Sequence, residues 1–181
     1  MENSCAFTGH RPKKFPWGYD ESDSRCVNLK VALTLQIQKL VEVGVTDFFS
    51  GMAEGTDTWA ALAVLDLRKN NPALKLHCVL SCKGQENKWT PSARKLYKDI
   101  LKKADTVTYV SEDYHDGCML ERNRYLVDHA AYLLAIYNGE WRGGTAATIR
   151  YAQKMDREII VIDPITRHIA YKGVAPSGGN S

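Results

Sequence analysis

The chain has 181 residues and a net charge of +3, with 44% hydrophobic and 25% charged residues. This length fits one domain that buries about 70% of its unfolded surface, so disulfide or metal staples are not required. The basic residues form only short clusters such as Lys102-Lys103, which excludes the basic stripe of a nucleic-acid-binding module. No apolar run approaches the roughly 20 residues of a membrane span. No secretory signal opens the sequence, so we expect a cytoplasmic protein with no nucleic-acid or membrane partner.

The five cysteines are scattered along the chain, at positions 5, 26, 78, 82 and 118. Only Cys78 and Cys82 are close in sequence, and no second pair completes a zinc site. The pattern therefore predicts buried or free thiols in a reducing compartment and no metal site.

Short apolar runs alternate with segments of helical periodicity along the whole chain. Strands are predicted over residues 4–8, 45–50, 74–80, 106–110, 132–137 and 158–162. Helices are predicted over residues 25–43, 56–69, 92–103, 118–130 and 145–155. The apolar stripe of the first helix is predicted to contain Val27, Val31, Leu35 and Leu40.

This alternation of strand and helix is typical of βαβ units. It predicts an α/β fold, namely a single Rossmann-like, doubly wound, mostly parallel sheet with helices on both faces. The domain is expected to span residues 1–164. In the tail, residues 165–181, the sequence allows one short strand over 168–171 and predicts a disordered Gly/Ser-rich end after it.

Three of the predicted strands end in loops that are rich in small or polar residues. These are "TGHRP" (8–12), "SGMAEGTD" (50–57) and "NGEWRGGTAAT" (138–148). Carboxyl ends of parallel strands meet at one edge of a sheet, where ligands bind. The small residues of the second loop suggest that a ligand comes close to the backbone there.

Two of these loops open directly into helices, whose N-terminal amides favour phosphate. Gly143 and Gly144 would let an anion approach the backbone, and Thr145 and Thr148 would add hydroxyl groups. Helix capping by Thr145, Thr56 or Asp57 explains any one loop equally well. Three such loops on one rim favour a phosphate or nucleotide site.

Several common nucleotide-binding fingerprints are absent. The first strand is followed by "TGHRP" instead of G-x-G-x-x-G, and Ser50 stands where a ribose-binding acid would end the second strand. An ordinary dehydrogenase is therefore not expected. The G-x-x-x-x-G-K-[ST] motif of P-loop enzymes is missing as well.

Together with "RNRYLVD" (122–128), these loops resemble the YpsA-like family of the SLOG superfamily. That superfamily also contains the DNA-processing protein Smf/DprA and the cytokinin-activating Lonely-guy hydrolases. The resemblance extends over nearly the whole chain, up to about Pro164. It implies a Rossmann-like domain that binds a nucleotide-derived ligand, with ADP-ribose, NAD-related and cyclic nucleotides as suspects. It also implies a role in bacterial or anti-phage signalling.

The loops and the resemblance together indicate one set of ligand-binding residues and no metal ligand. On the fourth helix Arg122 suits a bidentate phosphate contact, whereas Arg124 and Asp128 have the spacing of a surface ion pair. Trp89 either stacks on a base or belongs to the core. The full set is Thr8, Gly9, His10, Arg11, Ser50, Gly51, Met52, Ala53, Gly55, Asp57, Trp89, Arg122, Asn123, Asn138, Gly143, Gly144, Thr145 and Thr148.

One departure from the superfamily bears on catalysis. Lonely-guy hydrolases have a motif similar to G-G-x-G-T-x-x-E, which ends in a glutamate. In this sequence Arg150 occupies the position of that glutamate. We therefore expect a non-catalytic binding protein, a sensor or sink, that requires no cofactor besides its ligand and forms a homo-oligomer. Two alternatives stay open. One is a nucleoside monophosphate phosphoribohydrolase or nucleosidase with a base such as Glu54, Asp57 or Glu112, and the other is a scaffold protein with an unused pocket.

Overall fold

The predicted strands form one seven-stranded sheet in the computed structural model, which describes residues 1–172. Its order is β4-β3-β2-β1-β5-β6-β7, in which β1 to β6 are parallel and β7 is antiparallel to β6. The predicted Rossmann-like, mostly parallel sheet is confirmed. The strands are β1 Ser4–Gly9, β2 Asp47–Ser50, β3 Lys75–Leu80, β4 Thr106–Tyr109, β5 Tyr132–Ile136, β6 Glu158–Ile162 and β7 Ile169–Lys172.

Helices cover both faces of the sheet, because successive strand residues point to opposite sides. The helices are α1 Ser24–Glu42, α2 Thr56–Arg68, α3 Pro91–Lys103, α4 Cys118–Asp128 and α5 Gly144–Lys154. In β1, Cys5 and Phe7 pack toward α1, α2 and α3, whereas Ala6 packs toward α4 and α5. A 3₁₀ turn over Pro12–Lys14, which the sequence did not predict, follows β1.

The predicted apolar stripe of α1 is wrong for three of its four members. Val27, Val31 and Leu35 are 46%, 54% and 51% exposed. Apolar residues occur on more than one side of this helix, and the side with more of them packs on the sheet. That buried side consists of Cys26, Leu29, Leu33, Gln36, Ile37 and Leu40.

The topology places a switch point between β1 and β5. The chain winds outward from β1 to β4 and then crosses back to continue from β5 to β7. In open α/β sheets, the carboxyl ends of the strands at such a point frame a ligand-binding crevice.

The sheet continues past Pro164, because β7 pairs with β6 through Ile162 and Ile169. The predicted disordered end falls on residues 173–181, which lie outside the described part of the chain. No helix within residues 1–172 is long and apolar enough to cross a membrane. All five cysteines are free and buried, which agrees with the predicted buried or free thiols.

Candidate functional site

A cleft of about 400 Å³ opens at the switch point, and we call it the cationic cleft. Its walls come from the end of β1 and the turn that follows it, from the loops after β2 and β5, and from the first turns of α4 and α5. The predicted site residues that line it are Thr8, Gly9, His10, Arg11, Ala53, Asp57, Arg122, Asn123, Gly143, Gly144 and Thr145.

The cationic cleft also contains residues that sequence reasoning missed, namely Phe7, Lys13, Lys14, Met119, Glu140 and Arg142. Lys13 and Lys14 belong to the 3₁₀ turn that bends the chain after Arg11 back over the cleft. Proline at the first position of that turn was the only sequence signal for it.

Positive charge dominates the cationic cleft. Its cationic residues are Arg11, Lys13, Lys14, Arg122 and Arg142, against the carboxylates of Asp57 and Glu140. Lys14 Nζ lies 2.9 Å from Glu140 Oε2, but both side chains are largely exposed. Such a surface pair contributes little, so the cleft keeps an excess of positive charge that favours an anion.

Arg122 is the central cation of the cleft and is only 4% exposed. Its Nη1 donates a hydrogen bond to the carbonyl oxygen of Gly51, and its Nε donates to Asn123 Oδ1 at 2.8 Å. Nη2 donates to no group among residues 1–172. Burial lowers the pKa of Arg122 while Asp57 opposes that change, and an arginine stays protonated in either case. A permanent charge is therefore held in the wall of the cleft.

Asp57 is the buried carboxyl of the cationic cleft. Its Oδ2 accepts a hydrogen bond from the Ala53 amide at 3.2 Å. Burial raises the pKa of Asp57, whereas Arg122 and Arg11 act in the opposite direction. A carboxyl with a perturbed pKa that faces a cleft is a common feature of functional sites.

The small residues of the loop after β2 make room for the protein's own chain. A Cβ at Gly51 would lie 2.5 Å from Arg122 Nη1, and a Cβ at Gly55 would lie 2.9 Å from the carbonyl oxygen of His10. Gly55 also has φ of +85°, which disfavours other residues. The close approach predicted for a ligand is thus made by Arg122 and by the loop after β1.

Ser50 and Met52 lie beneath the cleft and hold this loop in place. Ser50 Oγ donates to the carbonyl of Asp57 at 2.9 Å and accepts from the Met52 amide at 3.1 Å. Met52 is fully buried and has φ of +57°, an unusual value for a residue with a side chain. These residues shape the site without lining it.

Gln85 joins this loop to the end of β3. Its Nε2 donates to the carbonyls of Gly51 and Met52 at 3.2 and 3.3 Å. Its Oε1 accepts from the amide and hydroxyl of Ser81 at 2.9 and 3.0 Å. Gln85 therefore helps to fix the loop after β2, and it shares the Gly51 carbonyl with Arg122 as hydrogen-bond acceptor.

Asn138 and Thr148 were predicted to bind ligand, but the structure places both outside the lining of the cleft. Thr148 is buried, and its Oγ1 donates to the carbonyl of Gly144 at 2.7 Å. The Asn138 side chain pairs with Glu140, and its backbone amide donates to His10 Nε2 at 3.1 Å. Asn138 thus positions His10, whose buried ring has a lowered pKa.

The N-terminus of α5 opens onto the cationic cleft. Its N-cap is Gly143, with φ of +103° and no capping side chain, so Thr145 does not cap the helix. Within residues 1–172 the amides of Gly144 and Thr145 have no acceptor. Unpaired amides at a helix N-terminus together with its dipole favour an anion.

Arg150 lies away from the cleft. Its Nη1 donates to the carbonyl of Trp141 at 2.8 Å, and its guanidinium lies 5.1 Å from the centre of the Trp141 ring. Since Arg150 is at the position of the hydrolase glutamate, its turn of α5 contributes neither an acid nor a cation to the cleft.

The ion pair predicted between Arg124 and Asp128 is wrong. Both residues instead contact Tyr151 of α5. Asp128 Oδ1 accepts a hydrogen bond from the Tyr151 hydroxyl at 2.8 Å, and the guanidinium of Arg124 lies 5.6 Å from the centre of the Tyr151 ring.

Within residues 1–172, no group of three or more His, Cys, Asp or Glu side chains is arranged to hold a metal ion.

A family model, YpsA, described as the YspA SLOG family, matches residues 5–167. The chain belongs to the YspA SLOG family. The predicted YpsA-like membership is confirmed.

Curated relatives are similar to this chain over most of their length. A UPF0398 protein of Halalkalibacterium halodurans is 31% identical over 72% of this chain and 70% of its own. Another UPF0398 protein, from Bacillus velezensis, is 26% identical over 82% of both chains. The SPbeta prophage-derived protein YoqJ of Bacillus subtilis, named as uncharacterised, is 29% identical over 71% of this chain and 82% of its own.

Proposed function

We propose that this member of the YspA SLOG family binds a phosphorylated, nucleotide-derived small molecule in the cationic cleft and does not cleave it. The observation that carries the proposal is Arg122, a nearly buried guanidinium that lines the cleft and whose Nη2 donates to no group among residues 1–172. Guanidinium groups suit bidentate contacts with phosphate.

Two further features support a phosphate ligand. The open amides of α5 at Gly144 and Thr145 lie on the same cleft as Arg122. The exposed Arg11 and Arg142 add long-range attraction for an anion. The volume of about 400 Å³ is within the range of about 300–1,000 Å³ typical of small-molecule sites.

The chemical class of the ligand is inferred from the superfamily resemblance, which implies ADP-ribose, NAD-related or cyclic nucleotides. We infer that the protein acts as a sensor or a sink for such a molecule. Retention without cleavage is supported by α5, whose residues 144–154 contain no carboxylate. The homo-oligomer and the signalling role remain predictions, and light scattering after size exclusion measures the first of them.

Titration calorimetry tests binding. The panel contains ribose 5-phosphate, nucleoside monophosphates, ADP-ribose, NAD and cyclic nucleotides, each measured with wild type and with Arg142→Ala. We expect at least one phosphorylated compound to bind, with weaker affinity in Arg142→Ala and at high salt. Folded protein that binds none of these compounds would contradict the proposal and favour a scaffold with an unused pocket.

A hydrolase is the second candidate, and the perturbed pKa of Asp57 favours it. A buried carboxyl beside a phosphate site is suited to act as a general base or acid. Chromatography of the incubated panel detects any released base. Repeated turnover that Asp57→Asn abolishes, while ligand binding is retained, would replace the binding-protein proposal with this one.

A further inference from the structure

A second cleft of about 410 Å³ lies next to the cationic cleft, and we call it the aromatic cleft. Neighbouring residues of the same two loops line one cleft or the other. Arg11 lines the first and Pro12 the second, while Ala53 lines the first and both Glu54 and Gly55 line the second.

The wall between the two clefts is thin. A Cβ at Gly55 would lie 3.0 Å from Pro12 Cδ and 3.3 Å from Arg11 Cα, so the two loops touch through their backbones. No bulky side chain at position 55 separates the clefts, because glycine is required there. The two clefts are therefore neighbours across the ridge formed by Pro12 and Gly55.

The aromatic cleft exposes apolar and ring-bearing side chains. Tyr19 is 59% exposed, and Leu62 and Leu96 also present much of their surface. Trp89 is half-buried and is held edge-on against Tyr97, with ring centres 5.3 Å apart. A planar ring that enters the cleft therefore buries apolar surface on both partners.

Trp59 contributes a ring of fixed orientation to the aromatic cleft, and Glu54 contributes a hydrogen-bond acceptor. The Trp59 indole N–H donates to Glu21 Oε1 at 3.0 Å, which fixes the ring in the cleft wall. The carboxylate of Glu54 is half-buried and accepts no hydrogen bond from residues 1–172. Burial raises the pKa of Glu54, while Arg11 and Lys13 act in the opposite direction. Such an acceptor suits a ribose hydroxyl or an exocyclic amino group.

We propose that the aromatic cleft binds the base of the molecule whose phosphate occupies the cationic cleft. The ligand class is then a nucleotide in which the sugar crosses the ridge formed by Pro12 and Gly55. This inference rests on the proposed function. It places Trp89, for which the sequence left open stacking on a base or a position in the core, in a subsite separate from that of the phosphate.

The test compares AMP with ribose 5-phosphate, which lacks the adenine ring, by titration calorimetry. The variants are Tyr19→Ala and Trp89→Ala, with Tyr114→Ala as the control, because Tyr114 is an exposed tyrosine outside both clefts. Tyr19 is exposed, so its variant keeps the proposal testable if Trp89→Ala does not fold. We expect wild type to bind AMP at least about tenfold more tightly, and both variants to lose most of that advantage.

Ribose 5-phosphate affinity is expected to stay within about twofold of wild type in every variant. If wild type binds both compounds equally, or if the variants weaken both to the same extent, the base subsite is wrong and the phosphate site stands. If wild type binds neither these two compounds nor any other phosphorylated compound of the panel, the proposed function fails together with this inference.

Discussion

The guanidinium of Arg122 fills the space that a side chain at Gly51 would need. A Cβ at Gly51 would lie 2.5 Å from Nη1 and 2.7 Å from Cζ, and Nη1 also donates to the Gly51 carbonyl. The glycine after β2 and the arginine of α4 are therefore one structural unit, although 71 positions separate them in the chain.

Gly51→Ala is expected to displace Arg122 and to lower the free energy of unfolding by about 1–3 kcal/mol, the usual cost of overpacking. Chemical denaturation measures the change. Gly144→Ala is the matched control, because a Cβ there meets only Asn123 Nδ2 at 3.9 Å. Equal stability of the two variants would show that Arg122 moves aside freely.

Arg122→Ala is expected to weaken binding of a phosphorylated ligand by about ten- to a hundredfold, the scale of a charged hydrogen bond. It is also expected to lower Tm, because Arg122 bonds to the Gly51 carbonyl. The comparison is Arg142→Ala, which removes an exposed cation of the same cleft and leaves Tm unchanged. Calorimetry that finds the same affinity in Arg122→Ala and wild type would leave this arginine a structural role only.

His10 is expected to make the protein less stable in acid. Burial lowers its pKa below the ordinary 6.5, and Lys14 adds to this, while Glu140 opposes it. The unfolded chain then binds more protons than the folded one, so this contribution is complete above about pH 6.5 and is lost as the pH falls through the lowered value. Between pH 5 and pH 7.5, the free energy of unfolding of His10→Gln is expected to depend less on pH than that of the wild type. His168→Gln, at an exposed histidine, is expected to match wild type, and a wild-type slope in His10→Gln would disprove the assignment.

The five buried cysteines are expected to react slowly with Ellman's reagent in the native protein and completely after denaturation. Burial raises the pKa of Cys78 to about 12 and raises that of Cys5 as well, which suppresses the reactive thiolate. Reductant is expected to leave Tm unchanged. A Tm that falls on reduction, or fewer than five reactive thiols after denaturation, would reveal a disulfide.

The sheet could be predicted because its strands are continuous apolar runs bounded by polar loops, as buried parallel strands are. The packing face of α1 could not be predicted, since Val27 and Val31 satisfy helical periodicity as well as the buried Leu29 and Leu33 do. Which side meets the sheet depends on contacts from other elements.

The cationic cleft was predictable at the level of strand ends and less so at the level of side chains. Thr8, Asp57 and Gly143 follow from their places at the end of a strand or after one, because these strands end at one edge of the sheet. The reason for a glycine at position 51 could not be inferred from the sequence, because its partner Arg122 is on a helix distant in sequence. Lys13 was missed since a surface lysine and a cleft lysine look alike in a sequence.

The loop after β2 is held by hydrogen bonds from Gln85 and Arg122 to the Gly51 carbonyl, and Met52 within it is buried at a positive φ. Most of the ordering entropy of that loop is thus spent when the chain folds, before any ligand arrives. For the phosphorylated ligand proposed above, this pre-ordering would lower the entropy cost of binding and would disfavour related compounds whose shape or charge does not match the site.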